Sequence, residues 1–466
     1  MRFFTTKKEY SSLVIIIGLL PGANMLIGLR LFSSSNNHIP AAPFFLQGII
    51  AIAFGIIFFS KTWANLPIQT EHEFISLRYT DPFVKSLSLF RGLFLGIIII
   101  PLLLAISSQT LIEIIGHFEI NRNESIIGLF GILLLGVFFN DLKNRIKIDM
   151  IIGFLTLVVV IIYFMHNIFI QHQNNVVQNE IKHTLLSTSL KSYYPSIFFL
   201  WWFTMIVDMP DMRSQKLLSL KNSQHGRKVI LIASGISIFI QGLFLAYPFY
   251  LLNYASWYWV DVIFFVLIVL NVIQSMLSLN HWAGSLITSG ISELYPNFKN
   301  KTSFSIPILI FNLSLSLIWI LMSQSASSLV FDLVTFTAGV GPLYILRWIW
   351  PKVNALANFI AMLFAPIYFI LWKWLITYQS ISTVLNGVIE EPFFQSITIV
   401  GLLNISTWLI IIFLSSNKEQ EKKTKLFIKK YKLDEELRKP INWLYFLLIS
   451  VFFICLMFGP LLLRRN

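Results

Sequence analysis

The polar side chains that could bind a ligand or carry a proton lie inside long apolar runs of this sequence. Between residues 258 and 295 they recur at steps of three, four, three and four, which places them on one helical face. These residues are Asn271, Gln274, Ser278, His281 and Ser285, with Ser275 at the edge of the face. A lipid-facing helix does not carry such a face, so we expect it to line a water-filled path or to hydrogen-bond with neighbouring helices.

A second candidate is Asp149, which follows Lys147 and precedes an apolar stretch. Ionisable groups inside membrane spans are costly, and they mark functional hypotheses such as the passage of ions or protons. Asp149 lies near the start of its run, which leaves a second interpretation open. In that interpretation it is an interfacial carboxylate paired with Lys147 or Arg145.

Two proline-containing segments predict helices that are interrupted within the membrane. One spans residues 19–24 and contains Pro21 and Gly22, and the other spans residues 205–211 and contains Pro210. Proline removes a backbone donor, and transporters use the freed carbonyls and helix ends at such breaks to bind ions and substrate. The alternatives are that Pro21 only kinks a packed helix and that Pro210 only starts a loop.

Composition and hydropathy predict an all-α integral membrane protein in a single polytopic domain. Of its 466 residues, 56% are hydrophobic and 12% are charged, whereas about a quarter are charged in soluble proteins. Apolar runs of about 20 residues can cross a bilayer, and in lipid they must be helical. About thirteen spans are expected, at roughly 11–30, 40–63, 83–115, 123–141, 147–170, 192–214, 226–252, 258–295, 303–323, 328–347, 352–376, 394–415 and 440–463.

Net charge indicates topology rather than nucleic-acid binding. The excess of 35 Lys and Arg over 22 Asp and Glu lies in short loops and fits the positive-inside rule. We therefore expect a multi-pass protein of a bacterial inner membrane with a cytoplasmic N-terminus, surrounded by lipid. The loops near residues 145, 220 and 425 are expected in the cytoplasm, and those near 180 and 385 in the periplasm.

The sequence offers little for catalysis. We find no Gly-rich phosphate loop, no metal-ligand spacing and no Ser-His-Asp set, and the single cysteine, Cys455, excludes disulfides. We expect no enzyme and no cofactor, so any uphill transport must draw on an ion gradient.

Several segments resemble the sodium:solute symporter family, whose fold is similar to that of LeuT. Residues 70–79 (T-E-H-E-F-I-S-L-R-Y) and 90–96 (F-R-G-L-F-L-G) resemble a family loop and the start of the third core helix. Trp201-Trp202 and residues 215–221 (Q-K-L-L-S-L-K) resemble a pattern common in a Bacteroidetes branch. Residues 338–348 (A-G-V-G-P-L-Y-I-L-R-W) resemble a third family segment, with Asn354-Ala355 after it.

The resemblance implies a five-plus-five inverted repeat, with the first repeat at 1–170, the second at 192–350 and three additional C-terminal helices within 352–466. It also implies sodium as the coupling ion, held between helix 1 carbonyls and helix 8 hydroxyls. The implied sodium-site residues are Ile15, Gly18, Asp149 and either Ser275 or Ser278, depending on the alignment register. Asp149 matches the family's helix 5 aspartate, while Ile152 replaces a glutamine.

The implied function is sodium-coupled symport of a small polar organic solute by alternating access. We expect the solute pocket between the two helix breaks, with Asn24, Trp202 and Asp208 in its lining. Two alternatives stay open. One is proton coupling, with His281 or Asp149 as the carrier. The other is a sensor or scaffold that binds solute without transporting it, which the loss of one helix 8 hydroxyl and of an acidic residue at Pro21 would favour.

Overall fold

The computed structural model describes residues 10–23, 58, 60–68, 73–80, 82–116, 120–138, 142–171, 218–221, 225–233, 236, 259–295, 305–322, 326–376, 392–415, 417–431 and 444. Most of these residues are helical. The helices used below are α1 Ser12–Ala23, α2 Ser60–Asn65, α3 Glu73–Arg78, α4 Val84–Leu93, a π-helical segment Phe94–Ile99, α5 Ile100–Gly116, α6 Arg122–Phe138, α7 Leu142–Gln171, α8 Trp259–Leu294, α9 Ser305–Met322, α10 Ala326–Phe336, α11 Gly341–Ile349, α12 Ala355–Ile376, α13 Pro392–Ser415 and α14 Lys418–Lys430.

Apolar helices long enough to cross a bilayer are present where the hydropathy predicts spans. Within the described residues these are Val84–Gln109, Ala355–Leu375 and Gln395–Ser415, and Ile306–Met322 is a shorter apolar helix. The predicted spans at 192–214 and 440–463 lie almost entirely outside the described residues. The total of thirteen spans and the internal repeat therefore remain predictions.

Helix α8 lies at the centre of the bundle and packs against α1, α4, α5, α7 and α9. Its approach to α4 depends on small residues. A Cβ atom on Gly92 would lie 2.6 Å from the carbonyl oxygen of Leu286 and 3.2 Å from the Cα atom of Gly290. One turn further along, a Cβ on Gly96 would lie 2.4 Å from Ile287 Cγ1. Glycines four residues apart allow two backbones to approach closely, as is common between membrane helices.

The long predicted span at 83–115 is a continuous helical segment with a change of hydrogen-bonding register. Helices α4 and α5 are joined by the π-helical residues Phe94–Ile99. Pro101 follows directly after α5 begins, and it cannot donate a hydrogen bond to the carbonyl of Ile97. The missing donor explains why the helix widens here, since a π turn pairs that carbonyl with a later residue.

The predicted span at 328–347 is two helices rather than one, which corrects the sequence-based interpretation. Helix α10 ends at Phe336, and α11 begins at Gly341 after a turn in which Gly339 has φ 80°. L-residues with a side chain avoid this left-handed backbone. A Cβ on Gly339 would also lie 2.5 Å from the carbonyl oxygen of Gly401. The break is therefore tied to the close approach of α13.

Side chains of α13 hold this break. Asn404 Nδ2 donates to the carbonyl oxygens of Ala338, at 2.9 Å, and Ala361, at 3.0 Å. Trp408 Nε1 donates to the carbonyl oxygen of Gly339 at 3.0 Å. The carbonyls that the interruption frees are thus satisfied by a neighbouring helix, as buried backbone groups require.

Short segments gather at one end of the bundle around a second apolar core. Tyr10 pairs in parallel with Leu220, and the backbone N–H of Lys221 donates to the carbonyl of Tyr10 at 2.9 Å. The core combines residues of α1, α2, α3, α11, α14 and the 218–233 region, with Trp63 and Trp348 fully buried in it. The N-terminal segment and these loops therefore lie on the same side of the protein.

Candidate functional site

Helices α1, α7 and α8 pack together, and α1 approaches α7 at Gly153. A Cβ atom on Gly153 would lie only 2.3 Å from the carbonyl oxygen of Ile17. Pro21 lies four residues after Ile17 in α1 and has no N–H to offer that carbonyl. A proline and a glycine on neighbouring helices thus bring a backbone oxygen of α1, freed from its usual helical donor, against α7.

Asp149 lies one helical turn before Gly153 on α7 and is fully buried. The amide Nε2 of Gln274 on α8 donates a hydrogen bond to Asp149 Oδ1. The hydroxyl of Ser278, one turn further along α8, lies 3.5 Å from the same oxygen. A buried carboxylate is therefore in contact with two polar residues of the face that the sequence predicts on α8.

A second contact between the same helices lies towards the opposite end of α7. Asn271 Nδ2 donates to Thr156 Oγ1 at 2.8 Å, and both side chains are buried. Because the contact partners run in opposite order along the two helices, α7 and α8 are antiparallel. The polar face of α8 is thus directed at α7 from Asn271 to Ser278.

The two serines of α8 have different surroundings. Ser275 is fully buried, and its hydroxyl donates to the carbonyl oxygen of Asn271 in the same helix at 2.8 Å. This is the ordinary i−4 bond of a helical serine. Ser278 instead has its hydroxyl within reach of Asp149. Of the two hydroxyls, that of Ser278 is therefore the one beside the carboxylate.

The other predicted site residues are described only in part. Ile15 of α1 is buried and belongs to the second core. Gly18 lies in α1, which continues through Pro21 and ends at Ala23. Asn24, Trp202 and Asp208 lie outside the described residues, as does the predicted break at 205–211, so the proposed solute pocket remains a prediction.

Two residues that lie at these helix contacts were not predicted from the sequence. Ile17 is one, and its carbonyl could have been identified because it lies four residues before Pro21. Thr156 is the other, and it lies seven residues, or two helical turns, after Asp149 on the same face. His281 and Ser285, which the sequence does place on the polar face, are also buried.

Two of the segments that resemble family motifs, residues 73–79 and 338–348, meet in space at the second core. The fully buried Arg78 donates through Nε to the carbonyl oxygen of Arg347 at 2.6 Å and through Nη2 to that of Trp350 at 3.2 Å. Its Nη1 donates to Thr424 Oγ1 of α14. The guanidinium of Arg347 lies 4.1 Å from the ring centroid of Tyr344. These arginines join loops of the bundle rather than exposing charge to a ligand.

Lys423 of α14 belongs to the same contact. Its ammonium donates to the carbonyl oxygens of Ser76, at 3.2 Å, and Tyr79, at 2.9 Å. Burial, and secondarily the nearby Arg78 guanidinium, lower the pKa of Lys423 below its usual value. Helix α14 is thus attached to α3 by its Lys423 side.

Comparison with solved structures finds a protein with a similar fold. The chain matches a structure described as the substrate-bound outward-open state of a Na+-coupled sialic acid symporter, with a TM-score of 0.55 and 12% sequence identity. The match covers 88% of this chain and 90% of that chain. No model of a known protein family and no curated protein matches the sequence. At this identity the likeness concerns the fold, and it extends over nearly all of both proteins.

Proposed function

We propose that this protein is a secondary active transporter that couples the entry of sodium to the uptake of a small polar organic solute by alternating access. The observation that carries the proposal is the buried carboxylate of Asp149 at the α7–α8 interface. It supports the proposal because an ionisable group inside a membrane bundle is expensive and is retained where it serves an ion or proton path.

The chemistry around Asp149 suits a hard cation. Carboxylate, hydroxyl and backbone carbonyl oxygens are the ligands that such cations prefer. Asp149 and Ser278 supply the first two kinds, and the carbonyl of Ile17 lies against α7 one turn away. Gln274 is a neutral donor, so it orients the carboxylate without cancelling its charge.

Proton coupling is the second candidate, and the same carboxylate supports it. A carboxyl group can carry a proton in its neutral form and attract a cation in its ionised form, so the same residue can serve either path. The serine hydroxyl and the glutamine amide can hydrogen-bond to either form. Sodium and proton coupling therefore make different demands on the same residues, and an experiment can separate them.

The test is uptake of radiolabelled solutes by proteoliposomes that contain the purified full-length protein. The solute panel comprises sugars, sialic acid, amino acids and carboxylates, each offered with an inward sodium gradient, an inward proton gradient or neither. Sodium-driven accumulation of one solute class supports the proposal. Accumulation driven by the proton gradient and not by the sodium gradient supports proton coupling instead. Saturable solute binding without uptake under any gradient contradicts transport and identifies the protein as a sensor.

A further inference from the structure

Helix α14 has a regular row of lysines on the side that faces away from the protein. Lys418, Lys422, Lys425 and Lys429 recur at steps of four, three and four residues, so they lie on one helical face. All four are exposed. We call these four residues the lysine row. Within the described part of the chain, none of the four takes part in an ion pair.

The opposite face of α14 fixes the orientation of the lysine row. Gln420, Thr424, Phe427 and Ile428 are buried. Gln420 Oε1 accepts hydrogen bonds from the backbone N–H of Thr80, at 2.7 Å, and from its hydroxyl, at 2.8 Å. A helix held by an apolar and hydrogen-bonded face cannot rotate freely. The four ammonium groups are therefore presented together, in one direction.

The lysine row begins next to the end of a membrane helix. Only residues 416 and 417 separate α14 from α13. The last turn of α13 exposes Phe413 at 63% and Leu414 at 80%, which indicates a lipid-facing surface. Asn354 Nδ2 donates to Ser415 Oγ at 2.8 Å and attaches this helix end to the start of α12. Helix α14 thus starts at the boundary of the hydrocarbon region.

An exposed apolar residue borders the lysine row. Leu426 is 60% exposed and lies one turn from Lys422 on the adjoining strip of the helix surface. Helices that lie in a membrane interface combine lysines with neighbouring apolar side chains, because the former meet head groups and the latter meet the acyl boundary. Leu426 beside the lysines therefore fits the boundary between head groups and acyl chains.

From this arrangement we infer that the lysine row of α14 is a binding surface for the head groups of anionic phospholipids. Clusters of lysines directly beside a membrane helix attract anionic lipids through charge. The apolar face of α14 is buried against the bundle. The exposed face can therefore interact with the membrane mainly through the charges of its lysines. The inference depends on the membrane placement of α13 and not on the transported solute.

The test uses the full-length protein with Leu426→Cys in a Cys455→Ser background, labelled with a fluorophore and reconstituted in phosphatidylcholine bilayers. Quenching is measured with head-group spin-labelled phosphatidylglycerol and with spin-labelled phosphatidylcholine at equal mole fraction. We expect phosphatidylglycerol to quench about three-fold or more strongly, and 0.5 M NaCl to reduce this preference through screening.

Two charge variants complete the test. Lys422→Gln/Lys425→Gln/Lys429→Gln should bring the quenching ratio close to one. The matched control Lys85→Gln/Lys221→Gln/Lys228→Gln removes the same charge from three exposed lysines elsewhere and should leave the ratio unchanged. A ratio near one in the unsubstituted protein, or an equal loss in both variants, would overturn the inference. Failure of both lipids to quench would also overturn it, because position 426 would then lie away from the bilayer surface.

Discussion

Gln274 donates a hydrogen bond to the carboxylate of Asp149, and this contact joins α8 to α7 inside the bundle. The hydroxyl of Ser278 lies 3.5 Å from the same carboxylate oxygen. The side chain of Asp149 is fully buried within the protein, at the packing contact between α7 and α8. The contact also places the side-chain amide of Gln274, from α8, beside Asp149. In the family pattern a glutamine lies on the same helix as the aspartate, at the position that Ile152 occupies here.

Asp149→Asn should weaken the dependence of transport on sodium and leave the yield of folded protein near normal. The amide keeps the shape of the side chain but loses the charge that attracts the cation. Losing a charge-assisted contact costs about 1.5–3 kcal/mol, which corresponds to a roughly ten- to hundred-fold rise in the sodium concentration for half-maximal uptake. Sodium titration of solute uptake in proteoliposomes measures this change.

The matched control for this substitution is Asp332→Asn. Asp332 pairs with Lys373 at 2.8 Å, and 60% of the lysine side chain is exposed. Exposed ion pairs contribute little, so this variant should keep the native sodium dependence. If Asp149→Asn lowers the folding yield while sodium dependence stays native, the carboxylate has a structural role and the proposed ion path is wrong.

A second prediction concerns the sidedness of the loops. The bridge between Tyr10 and Leu220, and the packing of Phe427 in the same core as Ile15, place these segments at one end of the protein. The distribution of Lys and Arg predicts that this end is cytoplasmic. Single cysteines introduced as Lys221→Cys and Lys425→Cys in a Cys455→Ser background should therefore resist an impermeant thiol reagent in intact cells. Cysteines near residues 180 and 385 should react. Labelling at 425 without labelling near 180 would reverse the predicted orientation.

The sequence predicts most of the helices described here because hydropathy is a property of each segment by itself. It also predicts the polar face of α8, since the three- and four-residue steps are local. The contact between Gln274 and Asp149 was beyond reach, because it depends on how two helices 125 positions apart in the chain are aligned. The sequence alone does not show which helix packs against α8, so it does not distinguish Ser275 from Ser278 as the hydroxyl beside Asp149.

The interruption between α10 and α11 has a local and a distant cause. Gly339, Gly341 and Pro342 favour a break at this point, since Pro342 has no N–H to donate to the carbonyl of Ala338. The break becomes stable because Asn404 and Trp408, more than 60 residues later, donate to the carbonyls of Ala338 and Gly339. Local turn residues permit the break, and hydrogen bonds from a distant segment, which the sequence alone does not reveal, stabilise it.

Asn404 and Asn312 should respond in different ways to replacement by leucine. Both side chains are fully buried. Asn404 Nδ2 donates to two carbonyl oxygens, so its loss should lower the free energy of unfolding by about 1–3 kcal/mol. Within the described part of the chain neither carboxamide atom of Asn312 has a hydrogen-bond partner. Leucine there should be neutral or stabilising, because it removes an unsatisfied polar group.

Thermal unfolding of the two variants in one detergent measures this difference. Asn312→Leu provides the matched control for Asn404→Leu, because each places the same side chain in a buried helical position. Equal losses of stability in both variants would show that the contacts of Asn404 with the α10–α11 break contribute no more than the packing of a buried asparagine.

The last prediction separates the two serines of α8 in sodium titrations of solute uptake. Ser278→Ala removes the hydroxyl that faces Asp149, and an underpaired cation in a poorly hydrated site costs about 1–3 kcal/mol. That cost corresponds to a roughly five- to hundred-fold loss of sodium affinity. Ser275→Ala removes a hydroxyl that is already bonded within its own helix. A polar contact between membrane helices averages about 0.6 kcal/mol, so the effect of this substitution should be small.

Equal, small effects would make both serines packing residues and exclude the proposed ion site. Equal, large effects would mean that the site extends over a full turn of α8, because the two hydroxyls are three residues apart.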